Sequence, residues 1–92
     1  MVSRKVTVIN VTGLHLRPAG NLCREALLFK SSVTLSFDGT EANAKSVLSV
    51  LGACVKRGDE ILLTCDGEDE EEALDRLTAY IESGLGESDP EI

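Results

Sequence analysis

Apolar and polar positions alternate from residue 5 to residue 10, with Val6 and Val8 on one side and Lys5, Thr7 and Asn10 mostly on the other. A period of two marks a half-buried strand, and Thr12-Gly13 breaks it as a turn would. Over residues 16–30 the period becomes helical. Ala19, Leu22, Cys23, Ala26 and Phe29 recur at three- and four-residue spacing, while Arg24 and Glu25 lie opposite. Pro18 falls near the first turn, where its missing N–H costs nothing. Strict alternation returns at 32–37, with Val33, Leu35 and Phe37 inward. Asp38-Gly39 is a strong hairpin signal, and a short partner strand follows over 40–44 with Ala42 and Ala44 inward. A second helix is predicted from Ser46 to Ala53, with Val47, Val50 and Leu51 as its stripe and Cys54 next in register. Ile61, Leu63 and Cys65 mark a fourth strand over 60–66. Asp69 and Glu72 stand at capping-box spacing, and the acids of 68–72 suit the positive end of a helix dipole. The last helix, over 69–83, would bury Ala73, Leu74, Leu77 and Ile81 and stop at Gly84.

The order is β-α-β-β-α-β-α. Each strand has one wet face, which points to an antiparallel or mixed sheet with helices on its apolar side. The expectation is an α+β fold: a two-layer open-faced β-sandwich, a four-stranded mostly antiparallel sheet carrying three helices on one face. At 92 residues this is one domain, placed at 1–84, with the polar stretch 85–92 expected to be a flexible C-terminal tail.

Composition narrows the function. A net charge of −7 and only three aromatic residues remove the basic stripe and the stacking platforms that nucleic-acid binding needs. No apolar run approaches the ~18 residues of a membrane span, so no membrane insertion is expected. Three cysteines without a C-x-x-C fit neither a disulfide framework nor a zinc site, and indicate a reducing, cytoplasmic setting with no metal. All three fall on apolar stripes, which assigns them to the core.

The candidate chemistry lies in Thr12-Gly13-Leu14-His15-Leu16-Arg17-Pro18-Ala19. The only histidine of the chain stands between a glycine turn and a helix start. A helix N-terminus of Leu16, Arg17 and Pro18 offers unpaired amides and partial positive charge to an anion. Arg17 adds a planar donor fork suited to phosphate oxygens. Imidazole is a nucleophile at neutral pH, so His15 could take up a phosphoryl group there.

This segment resembles the active-site motif of the HPr family, the histidine-containing phosphocarriers of the bacterial phosphoenolpyruvate:sugar phosphotransferase system. Asn43-Ala44-Lys45-Ser46-Val47-Leu48 is similar to that family's second motif, around a regulatory serine. Lys56-Arg57-Gly58-Asp59-Glu60-Ile61 and Asp66-Gly67-Glu68-Asp69-Glu70 resemble the segments that bound the fourth strand. The resemblance implies that His15 accepts a phosphoryl group through Nδ1 from enzyme I, charged by phosphoenolpyruvate, and passes it to the IIA domains of sugar permeases. It implies that Arg17 contacts the phosphate. Ser46 would be the target of an HPr kinase/phosphorylase, and Leu16, Val47 and Leu48 an apolar dock for partners. No cofactor is implied, and the chain is expected to be a monomer. Leu16, Gly20, Ser49 and Cys54 depart from the residues commonest in the family. The nearest alternative is a regulatory HPr homologue, of the catabolite-repression or nitrogen-related kind, acting by binding regulators such as a transcriptional regulator. A small metal chaperone of similar layout would need a ligand cluster that the sequence lacks.

Overall fold

Four strands and three helices alternate in the expected order in the computed structural model, which describes residues 1–86. They are β1 (Val2–Thr7), α1 (Leu16–Ala26), β2 (Ser32–Phe37), β3 (Thr40–Asn43), α2 (Val47–Gly52), β4 (Glu60–Asp66) and α3 (Glu70–Glu82). The sheet runs β1-β4-β2-β3 with every neighbouring pair antiparallel. Its inner face presents Val6, Val33, Leu35, Ala42, Ile61, Leu63 and Cys65, and Leu22, Leu77 and Ile81 of α1 and α3 complete the core. The α+β open-faced sandwich is therefore the fold of this chain.

β2 and β4 have the bounds that alternation gave. Asp38 and Gly39 both take positive φ, 52° and 80°, the conformation of a type I′ hairpin. β1 differs: it spans Val2–Thr7, not 5–10. As an edge strand it pairs on one side only, so Ser3, Arg4 and Lys5 stay wet and blur the pattern. Val8 continues the pairing beyond the strand, donating to the Asp59 carbonyl and accepting from Gly58 N–H.

α1 stops at Ala26, short of the expected residue 30. Leu28 N–H bonds to Glu25 and Phe29 N–H to Ala26, a tightened turn that leaves Leu28 exposed and returns Phe29 to the core. Cys54 corrects the assignment of all cysteines to the interior. It follows the C-cap of α2 with φ 57° and is exposed, whereas Cys23 and Cys65 are buried. Burial pushes the Cys65 thiol up from its ordinary value.

The capping box at α3 is also corrected. Asp69 makes no side-chain cap bond to its own helix. Its carboxylate instead accepts from the backbone N–H groups of Lys30 and Ser31 and from the Ser31 hydroxyl, tying the α1–β2 loop to the start of α3. The reach-back role falls to Glu70, which accepts from Gly67 N–H at 3.1 Å. At the other end the helix closes as a Schellman motif: Gly84 (φ 97°) donates to Ile81 O and Leu85 to Tyr80 O. Leu85 is thereby fully buried and Asn21 Nδ2 donates to its carbonyl, so this residue belongs to the packed domain and not to a frayed tail. The rest of the expected tail, from residue 87, lies outside the described residues.

Candidate functional site

His15 reaches the surface because the two residues before it are held down. Gly13 takes φ +66° and lies so close to the segment after α2 that a Cβ there would fall 2.5 Å from the Val55 carbonyl oxygen. Only glycine fits such an approach. Leu14 is buried, and its N–H donates to Val55 O at 3.0 Å. Asn10 closes the turn from the other side, accepting from Gly13 N–H and donating its amide to Gly13 O.

His15 is then the N-cap of α1, with extended backbone at φ −76° and ψ −175°. Its carbonyl accepts the first helical bond, from Ala19 N–H at 2.8 Å, but its side chain makes no cap hydrogen bond. The imidazole is exposed and unengaged by the helix. Leu16 and Arg17 carry the amides that precede the first helical bond, so they are the orphan donors. Pro18 has no N–H to give. It is fully buried and fixes the helix entry from within, so the helix start carries two open amides rather than three. The Arg17 side chain is exposed and forms no ion pair among the described residues.

The regulatory candidate lies elsewhere. Ser46 is the N-cap of α2, in extended backbone, and its hydroxyl accepts from Ser49 N–H at 3.3 Å. The start of α1 is bonded to the segment after α2, through Leu14 and Val55. The segment before α2 is bonded to the end of α1, Lys45 Nζ donating to Phe29 O at 2.8 Å. The two packed helices therefore run in opposed directions, and Ser46 and His15 stand at opposite ends of the pair. Of the docking candidates, Leu16 (68% exposed) and Leu48 (82%) present their side chains to solvent, and Val47 is half-buried against the core. Sequence reasoning passed over Lys56, whose Cα lies against Gly13. Its one signal was its place in the Lys56-Arg57-Gly58-Asp59-Glu60-Ile61 segment before the fourth strand. Among the described residues no group of three or more His, Cys, Asp or Glu side chains is placed to hold a metal.

Residues 2–83 match the family described as PTS HPr component phosphorylation site. The HPr-like protein Crh of Bacillus subtilis is 45% identical over 82 residues, covering 89% of this chain and 96% of its own. A crystal structure of HPr from Thermoanaerobacter tengcongensis superposes with a TM-score of 0.91 at 36% identity, covering 96% of this chain and 99% of that one. A crystal structure of Bacillus subtilis Crh as a domain-swapped dimer gives 0.74 at 44% identity, covering 90% and 95%. With the family model matched over residues 2–83 and the same fold in a solved HPr structure, the chain belongs to the HPr family of phosphocarrier proteins.

Proposed function

We propose that this chain is a working carrier in a phosphoryl relay, taking the group from enzyme I and delivering it to the IIA domains of sugar permeases in the cytoplasm. The observation that carries the reading is the exposed His15 imidazole, which makes no cap bond, beside two orphan amides and the cation of Arg17. In the transfer, the lone pair of His15 Nδ1 attacks the phosphorus held on the donor. The new N–P bond forms as the donor's bond to phosphorus breaks, and that electron pair returns to the donor atom. The amides of Leu16 and Arg17 and the Arg17 guanidinium meet the charge on the transferring oxygens. The same steps in reverse deliver the group to the acceptor. Leu16, Leu48 and the flank of Val47 supply apolar area on which a partner can seat. Incubation with phosphoenolpyruvate and a heterologous enzyme I, followed by intact mass, tests this. One acid-labile phosphoryl group is expected on the native chain and none on His15→Ala; a variant labelled like the native chain would remove the reading.

A second reading is favoured by the 45% identity to Crh. In it the chain acts mainly as a regulator, modified at Ser46 by an HPr kinase/phosphorylase and bound by a transcriptional regulator. A chain that accepts phosphate at Ser46 from such a kinase, and none at His15 from enzyme I, would decide for it. In either role we infer a monomer, with the swapped Crh dimer as the competing assembly.

A further inference from the structure

On a chain of net charge −7, most positive side chains are engaged. Arg4, Lys30 and Arg76 pair with Asp75, Glu68 and Glu25. Arg24 donates to Asn21 and Lys45 to the Phe29 carbonyl. The side chains of Lys5, Arg17, Lys56 and Arg57 make no hydrogen bond or ion pair among the described residues. All of these but Lys5 lie on the two segments that meet at the His15 loop. Lys56 is the best placed of them beyond Arg17. A Cβ built on Gly13 would sit 2.7 Å from Lys56 Cα, so the two backbones touch. His15 is two residues further on, at most ~7 Å along the chain. A lysine ammonium reaches roughly 6 Å from its Cα on a flexible stem. The nearby Asp59 carboxylate accepts from the Lys56 backbone N–H at 2.8 Å and forms no ion pair with the ammonium.

We propose that Lys56 is a second cation of the phosphoryl site, its ammonium closing on the oxygens of the phosphoryl group carried by His15. The proposal rests on His15 as the acceptor. Arg17 approaches from the helix and Lys56 from the turn after α2, so the group is held between two elements. The ammonium favours the dianionic phosphoryl over the monoanion, as an opposite charge at short range does.

Phosphoramidate phosphorylates histidine without a protein donor, and the sequence holds one histidine, so every phosphohistidine resonance belongs to His15. Phosphorus NMR then follows the phosphoryl titration in the native chain and in variants. Lys56→Gln is expected to raise the midpoint by about half a pH unit, the size of a unit-charge contact near 5 Å at a wet surface. Lys56→Arg should restore it, and Lys5→Gln, which removes the same charge from β1, should leave it unmoved. Coincident curves for the native chain and Lys56→Gln would overturn the proposal. So would an equal shift for Lys5→Gln, or a larger one for Arg57→Gln. Enzyme I labelling is scored separately. If enzyme I fails while the Lys56 shift is present, the relay reading falls and the Lys56 contact stands; if labelling succeeds with no shift, the reverse holds.

Discussion

His15 and Ser46 are both N-cap residues, yet only Ser46 spends its side chain on the cap. An imidazole is a poor cap, so α1 begins without side-chain help and its first amides stay open to an anion. At Ser46 the hydroxyl already serves the fold. Ser46→Ala is therefore expected to lower stability by about 1 kcal/mol, read as a fall in Tm of roughly 4–8 °C for a domain of this size. Ser46→Asp keeps a capping oxygen and should melt close to the native chain. Under the relay reading it should still slow His15 phosphorylation, because negative charge beside Val47 and Leu48 must be desolvated when a partner docks. Since Ser46 lies at the far end of the helix pair from His15, the effect belongs in KM for enzyme I and not in the chemical step. A native KM for Ser46→Asp would reduce Ser46 to a cap. The cysteines give a further residue-level expectation. Iodoacetamide should modify Cys54 in the folded chain, while Cys23 and Cys65 react only in denaturant. Peptide mapping reads the order, and early labelling of Cys65 would contradict its burial.

Between elements, Asp69 ties the start of α3 to the α1–β2 loop. Its carboxyl is held down to about 2 from an ordinary 3.8, first by the Ser31 hydroxyl and then by Lys30 N–H. A carboxylate depressed in the folded state adds stability that is complete above its unfolded value and is lost as pH falls through its folded value. Tm should therefore drop between about pH 4 and pH 2, and Asp69→Asn should be less stable at pH 7 and flatter across that window. Parallel acid profiles for the two proteins would disprove the assignment. This contact also shows where the sequence was silent. Asp69 and Glu72 carry capping-box spacing, but a partner 38 residues away claims Asp69, and no local pattern encodes that distance. The same holds for Leu85: the Gly84 stop was legible, whereas the burial of the next residue follows from the Schellman geometry and from Asn21. What could be read were β2, β4 and the hairpin between β2 and β3, where one wet and one dry face impose alternation. The histidine at a glycine-led helix start was legible too, because that chemistry is local. Lys56 was not, since its place against the glycine turn depends on Gly13 meeting the Val55–Lys56 peptide.

For the whole molecule, the question is whether the chain closes on itself or exchanges an element with a second copy, as Bacillus subtilis Crh does. β1 is an edge strand paired with β4 alone and joined to α1 by residues 8–15, so it can leave the sheet by giving up a single ladder. Exchange would have to straighten that link. In the closed chain the link is pinned by Val8 with Gly58 and Asp59, by Leu14 with Val55, and by the close approach of Gly13. A swapped pair would rebuild the β1–β4 ladder but not the turn at Gly13, and association also gives up translational freedom. The native chain is expected to run as a 9.8 kDa monomer in light scattering at micromolar concentration. Gly13→Ala probes the pin directly. Its methyl would meet Val55 O at 2.5 Å and Lys56 Cα at 2.7 Å, both backbone atoms, in a conformation that alanine rarely adopts. The variant should lose the closed link, gain a dimer fraction that rises with concentration, and accept phosphate at His15 more slowly, because the loop that presents the imidazole is the same loop. A native chain that is already dimeric would mean that the pins are weaker than the geometry implies. A monomeric Gly13→Ala that melts like the native chain would mean that they do not hold the link at all.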